Sequence, residues 1–130
     1  MSLPNSFSKS EHLCSEKRIT RLFTDGDAFM AYPLRVVFLI EPKTDEEFLS
    51  ILISVPKKRF KRAIKRNVLK RKIREAYRLN KFFIVKKAIE KQLQIHIAFN
   101  YVSNEELDFA TIEKKMILSL QKLIDKMDSV

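Results

Sequence analysis

Apolar residues cluster in two runs near the middle of the chain, at 34–41 and 48–55. Near-continuous apolar runs of this length are typical of strands in a sheet with at least one well-covered face. Farther along, the segment 93–102 places apolar side chains at every second position from Ile95 to Phe99, which predicts another strand. The chain therefore has the apolar pattern of a sheet protein, with helical segments around the strands.

A first helix is predicted before the strands. Ser15 is a suitable N-cap, and Gly26, the only glycine of the chain, is suitable as a C-cap. Leu22 and Phe23 fall on the apolar face of this helix. Residues 1–14 are expected to form an extended N-terminal arm.

A second helix is predicted from about Arg62 to Asn80, where the apolar spacing changes to helical. Its apolar stripe, which should pack on the sheet, consists of Leu69, Ile73, Ala76 and Tyr77. Beside this stripe, within an arc of about 140°, lie Arg66, Asn67, Lys70, Arg71, Arg74 and Arg78. One face of the helix is therefore apolar, and the neighbouring face is almost entirely cationic.

The C-terminal part is less sharply patterned. Segment 81–92 fits a loop with a short helix. Residues 103–106 match the capping-box pattern, which would start a last helix that carries apolar residues from Leu107 to Ile124. The predicted order is helix, two or three strands, basic helix, strand, helix. This order predicts a single-domain α+β fold over residues 1–130, an α-β sandwich with helices packed on one sheet.

Composition supports a folded protein that contains no disulfide. The chain has 130 residues, 45% of them hydrophobic, and one cysteine. No apolar run approaches a membrane span, and the N-terminus has no signal-peptide pattern. These features predict a cytoplasmic protein with no membrane partner.

Charge is the most unusual feature, because it is concentrated in one segment. The formal net charge is +10, and residues 57–81 hold 13 of the 26 lysines and arginines with Glu75 as their single acid. Like charges one turn apart destabilise a helix unless a partner neutralises them. A strongly anionic partner is expected, and structured RNA suits a basic helix within a sheet domain. A leucine heptad and zinc-finger spacing, which would favour DNA, are missing from the sequence.

No catalytic site is recognisable in the sequence. It contains no nucleophile elbow, phosphate-binding glycine loop or metal-binding helix motif. His12 and Cys14 lie two positions apart without a third ligand nearby, and His96 fits an ordinary packed or surface imidazole. We therefore expect no catalytic residue, no metal ligand and no small-molecule substrate.

The segment KRAIKRNVLKRKIREAYRLNK resembles the arginine-rich signature motif of the bacterial ribonuclease P protein subunit. Arg66-Asn67, Lys70-Arg71 and Arg74-Glu75 match its start, middle and end. The segments FSKSEHL (7–13), LFTDG (22–26) and SVPKK (54–58) are similar to three further family elements, in the same order. Val68 departs from the motif, since the family usually has its second arginine there. Phe60 replaces a frequent glycine, and Pro56 replaces the usual serine.

The resemblance implies a function that composition alone does not. The family's enzyme removes the 5′ leader of precursor tRNA, and its catalytic centre is a large RNA that requires Mg²⁺. The small protein binds that RNA, one protein per RNA, and also contacts the leader. The implied fold is ribosomal protein S5 domain 2-like, with a left-handed βαβ crossover. No cofactor bound by the protein itself is implied.

Two sets of site residues follow from the resemblance and the basic helix. The expected catalytic-RNA contacts are Arg66, Asn67, Lys70, Arg71, Arg74, Arg62, Lys65 and Arg78. The expected leader contacts, in a cleft between the first helix and the sheet, are Phe23, Lys17, Arg35, Phe38, Lys57 and Lys58.

Two other functions compete with this interpretation. A generic RNA-binding module, such as a ribosomal or assembly protein, would share the basic helix without a role in leader removal. A self-sufficient nuclease would need clustered carboxylates or histidines, and the acids of this chain are scattered.

Overall fold

A computed structural model describes residues 16–43 and 49–130, with side chains described from residue 19 onward. Within these ranges the helices are α1 (Glu16–Asp25), α2 (Ala63–Asn80), α3 (Phe82–Lys91) and α4 (Phe109–Asp128). The strands are β1 (Asp27–Ala31), β2 (Leu34–Pro42), β3 (Leu49–Ser54) and β4 (Leu93–Tyr101). The strands form one sheet in the order β1-β2-β4-β3, which confirms the α+β class.

The sheet contains both antiparallel and parallel neighbours. β1 and β2 form a hairpin through Tyr32 and Pro33, and β2 also pairs antiparallel with β4. β3 pairs parallel with β4, and a parallel pair requires a crossover connection, which α2 and α3 supply. The left-handedness implied for this crossover stays a prediction.

The main core lies on one face of the sheet, beneath α2, α3 and α4. Alternate residues of β2 and β4, such as Val36, Ile97 and Phe99, are fully buried there because side chains of a strand alternate between its faces. The predicted apolar stripe of α2 is confirmed, since its buried residues are Leu69, Ile73, Ala76 and Tyr77.

The opposite face of the sheet is covered by α1. Leu22 is fully buried against Val37 and Ala98, so β4 is covered on both sides near its middle. The helix ends at Asp25, directly before Gly26 as predicted, but the φ of Gly26 is not left-handed. Glycine is required here by close approach, since a Cβ atom would lie 2.6 Å from the carbonyl oxygen of Phe38.

The structure differs from the predicted elements at three places. The stretch after Gly26 contains the short strand β1, and the ambiguous segment 81–92 is almost entirely the helix α3. The capping box predicted at Ser103 is wrong, because α4 begins at Phe109 with Asp108 as its N-cap. The Thr111 N–H donates to the Asp108 carboxylate at 2.9 Å, and hydrogen bonding from the side chain and then the backbone of Thr111 lowers the pKa of Asp108 below its usual value.

The hydroxyl of Tyr101 explains why residues 103–107 do not join α4. Tyr101 is fully buried, and its hydroxyl donates to the Glu105 carbonyl at 2.5 Å and accepts from the Leu107 N–H at 3.1 Å. Ser103 Oγ accepts from the Glu105 N–H at 3.0 Å. These bonds use the backbone groups of the segment in a compact turn, so the helix starts after it.

Some predictions lie outside the described residues. They are the N-terminal arm at 1–14, the Ser15 cap and the pair His12 and Cys14. Among the helices that are described, none is both long enough and apolar enough to cross a membrane.

Replacing Gly26 with Ala should destabilise the fold by about 1–3 kcal/mol, the usual cost of overpacking. The added methyl group would press on the Phe38 carbonyl, so α1 would have to move away from β2. Urea denaturation of the variant and the parent protein measures the change. Ala28→Gly, two residues farther on in the exposed part of β1, is the control for a change of the same size. Equal stability of Gly26→Ala and the parent protein would contradict the close approach.

Candidate nucleic-acid interface

Helix α2 presents the predicted cations on its solvent side. Arg62, Lys65, Asn67, Arg71 and Arg74 are exposed, and Arg66, Lys70 and Arg78 are half-buried. The stripe around Ile73 packs on the sheet, and this anchorage directs the charged arc outward. The first turn of α2 contains no acid, and Arg62 at the N-cap makes no capping bond through its side chain. The positive end of the helix dipole therefore adds to the cationic surface.

Arg66 differs from its neighbours because it also holds the backbone. Its Nη1 donates to the carbonyl oxygens of Phe60 and Lys61, both at 2.8 Å. These bonds close the turn that leads from β3 into α2. The Phe60 ring is buried in the core and lies 5.9 Å from the ring of Tyr101. Arg66 thereby fixes the entry of the helix, and only part of its guanidinium faces solvent.

Arg78 and Glu75 form an ion pair at the other end of the helix. Arg78 Nη2 lies 2.5 Å from Glu75 Oε1, and its Nε donates to Glu75 Oε2 at 3.1 Å. The hydrogen bond from Arg78 lowers the pKa of Glu75, and the same contact raises the pKa of Arg78. Because the depressed carboxyl pKa belongs to the folded state, the pair is intact at neutral pH and is lost as pH falls through that value.

Three other basic residues of segment 57–81 are engaged with the protein itself. Lys72 Nζ donates to the Leu107 carbonyl at 3.0 Å, and Arg59 donates to Asn104 at 2.9 Å. Lys81 is only 2% exposed, and its Nζ lies 5.7 Å from the centre of the Tyr77 ring. The charge run counted in the sequence therefore divides into an outward-facing arc and a set that links α2 to its surroundings.

A second exposed surface lies on the α1 side of the sheet, at the end where β3 leads into the basic segment. Here four residues pair across the four strands in one row, in the order Met30, Arg35, Asn100 and Ser54. Arg35 is exposed, Met30 is 52% exposed, and the Asn100 side-chain amide donates to the Arg35 carbonyl at 3.2 Å. We refer to these four residues as the open row.

The predicted leader residues divide between this surface and the core. Lys57 and Lys58 are exposed in the turn that follows Ser54, and Phe23 on α1 is 46% exposed. Lys17 belongs to α1, but its side chain lies outside the described part of the chain.

Phe38 is not brought to this surface. It is 6% exposed and faces the α2 side, where its ring lies 5.9 Å from the ring of Phe29. Strand alternation explains the difference, since Arg35 and Val37 point to the α1 side and Phe38 to the other. Sequence reasoning missed Met30, Asn100 and Ser54, because the row depends on strand register.

A polar cluster, formed by the exposed Arg21 and by largely buried side chains of β2 and β4, holds α1 against the sheet. Arg21 forms an ion pair with Glu41, and the other carboxylate oxygen of Glu41 accepts from Gln94 at 2.5 Å and contacts His96 Nε2 at 3.1 Å. His96 is 7% exposed, so the interpretation as a packed imidazole is confirmed. The cluster joins α1, β2 and β4, and it sets the position of α1 beside the open row.

Within residues 16–43 and 49–130, no group of three or more His, Cys, Asp or Glu side chains could hold a metal ion. The exposed cations and side-chain amides described above are groups that can bind anions.

Comparison with known proteins points to one family. Residues 7–126 match the family model described as Ribonuclease P. Two curated relatives from strains of Porphyromonas gingivalis, each named Ribonuclease P protein component, are 44% identical over 131 residues. The alignment covers 99% of this chain and 96% of each relative.

Solved structures of the RNase P protein from Staphylococcus aureus share the fold. One has a TM-score of 0.67 at 20% identity and covers 89% of this chain and 99% of its own. Another has a TM-score of 0.64 at 19% identity, with 92% of both chains covered. Identity this low supports the fold alone.

Replacing Arg66 with Ala should lower the free energy of unfolding by about 1 kcal/mol, because two carbonyl groups of the turn lose their donor. Arg71→Ala is the matched control on the same helix, since Arg71 is exposed, and its effect on stability should stay within about 0.5 kcal/mol. Thermal and urea denaturation compare the two variants. Equal losses of stability would show that the Arg66 bonds do not hold the turn.

Proposed function

This chain belongs to the ribonuclease P protein family, and we propose from that membership which of its surfaces meets which RNA. It is the protein component of a ribonucleoprotein endoribonuclease, whose catalytic RNA is a separate molecule. We assign the cationic arc of α2 to the catalytic RNA and the open row to the 5′ leader of precursor tRNA. The observation that carries the proposal is the anchored α2, which turns one cationic face away from the core.

On α2, the residues assigned to phosphates of the catalytic RNA are Arg62, Lys65, Arg66, Asn67, Lys70, Arg71, Arg74 and Arg78. Arginine suits this role because its planar guanidinium can hold a phosphate through two parallel bonds. Each phosphate that is neutralised releases condensed counterions, so this contact should depend steeply on salt. We also propose that one protein binds each catalytic RNA and that the complex acts in the cytoplasm.

The leader is assigned to the α1 side of the sheet. Arg35, Lys57 and Lys58 would hold its phosphates, and Phe23 offers a half-exposed ring on which an unpaired base can stack. The two RNA molecules would then meet the protein on neighbouring surfaces, joined by the turn after β3. Cations placed between two polyanions reduce their repulsion, so the protein should lower the Mg²⁺ concentration that the RNA needs for cleavage.

Arg71→Ala and Arg74→Ala should each weaken binding to the catalytic RNA. Each should also reduce the slope of log affinity against log salt by about 0.7–0.9, the value for one lost phosphate contact. Filter binding or fluorescence titration at several salt concentrations measures both quantities. Lys114→Ala, which removes an exposed cation of α4 rather than of α2, is the matched control. Glu75→Gln should act in the opposite direction, because it removes the one acid of the segment and its ion pair with Arg78. Unchanged slopes in both arginine variants would contradict the assignment of α2.

Arg35→Ala should raise the KM for a precursor tRNA with a long leader by about three- to tenfold, the effect of losing one phosphate contact. A precursor tRNA with a one-nucleotide leader is the control substrate. Its KM should be the same for the Arg35→Ala holoenzyme and the parent holoenzyme. Both are assayed with the catalytic RNA at low Mg²⁺, with RNA alone and protein alone as controls. A protein that binds the RNA without stimulating cleavage would oppose the leader assignment, as would equal effects of Arg35→Ala on both substrates.

A further inference from the structure

Ile64 is an apolar residue on the cationic side of α2. It lies in the first turn of the helix and is 77% exposed, more than any other large hydrophobic residue in the described ranges. Val68, one turn later on the same side, is half-buried. At 100° per residue Ile64 lies about 180° around the axis from Ile73 in the core stripe and about 20° from Arg71. It therefore points away from the core and borders the arginine arc.

The surroundings of Ile64 identify the kind of surface that could cover it. Lys61, Arg62 and Lys65 are exposed beside it in sequence, and Asn67 and Arg71 border it on the helix. The first turn of α2 contains no acidic residue. A single exposed aliphatic side chain is ordinary on a protein surface. Here, however, it is enclosed by cations that require an anionic partner, and an apolar protein surface would have to bury those cations without compensation.

We propose that Ile64, supported by Val68, packs on the face of a nucleobase in the catalytic RNA. This inference rests on the proposed function, because it assumes that α2 meets that RNA. Nucleic acid is the partner that combines closely spaced phosphates with flat apolar base faces, so it can satisfy the cations and Ile64 together. The phosphates attract the helix, and the apolar contact sets where along the RNA the helix rests.

An apolar contact and a phosphate contact respond differently to salt. The apolar contact releases no counterions, so its loss weakens binding equally at low and high salt. The loss of a phosphate contact also changes the slope. The two kinds of contact on α2 can therefore be separated in one titration series.

The experiment compares Ile64→Ala with Ile117→Ala, a matched change of an aliphatic residue that is 49% exposed on α4. Affinity for the catalytic RNA is measured over a range of salt concentrations. Ile64→Ala should weaken binding about 15- to 60-fold at every salt concentration, the effect of removing about two to three buried methyl or methylene groups from a contact. Its salt slope should equal that of the parent protein. Ile117→Ala should bind as the parent does, and Ile64→Leu should retain most of the affinity.

Ile64→Lys provides a second variant with an expectation of its own. The added cation should steepen the salt slope, while binding at high salt should fall below that of the parent protein because the apolar contact is gone. Thermal denaturation of each variant accompanies the titrations. Because Ile64 is exposed, its replacement should leave stability within about 0.5 kcal/mol of the parent.

The outcomes separate this inference from the function on which it rests. Equal affinities of Ile64→Ala and Ile117→Ala would overturn the inference, while a reduced slope in Arg71→Ala would still support the α2 interface. A reduced slope in Ile64→Ala would also overturn it, because Ile64 would then act by positioning cations. Failure of the parent protein to bind the RNA, or an unchanged slope in Arg71→Ala, would count against the proposed function itself.

Discussion

The anchorage of α2 on the sheet is the interaction on which the rest of the structure depends. Each pair of like charges one turn apart, such as Lys70 and Arg74, destabilises a helix by about 0.2–0.5 kcal/mol. Full burial of a side chain such as Leu69 or Ile73 contributes about 1.5–3 kcal/mol. A few buried residues therefore outweigh the repulsion along the cationic arc. The helix can form before any RNA is present, and its charges are held in one orientation.

Strand β4 gives this anchorage its position. Its residues facing α2 belong to the main core, and Ala98 on its other face is buried beneath α1. The same strand contributes Asn100 to the open row, and its partner β3 leads through Ser54 into the turn that Arg66 closes. The two proposed RNA surfaces thus lie on opposite sides of one sheet and are joined by a short turn. A change in the register of β4 would move both.

Much of the fold could be predicted from residue patterns, because local spacing reflects burial. The stripe of α2 is predicted residue by residue, since its members repeat at helical intervals beside a strongly cationic face. The start of α4 was predicted wrongly at Ser103, because the hydroxyl of Tyr101 uses the backbone of that segment from a distant strand end. Phe38 was assigned to the α1 side, although alternation along β2 places it with Val36 in the main core. The first error concerns a contact between a strand end and the segment before α4. The second concerns the face of the sheet on which a side chain lies.

Residue spacing and charge are enough to predict the fold class and the helix that carries the charge, because helical periodicity and charge density are local properties. The sequence also indicated the family through a short arginine-rich motif. Which cations face outward depends instead on long-range contacts, since Lys72 and Arg59 are engaged by the segment before α4. The tertiary structure alone aligned Met30, Arg35, Asn100 and Ser54 in one row, because residues distant along the chain become neighbours only through strand register.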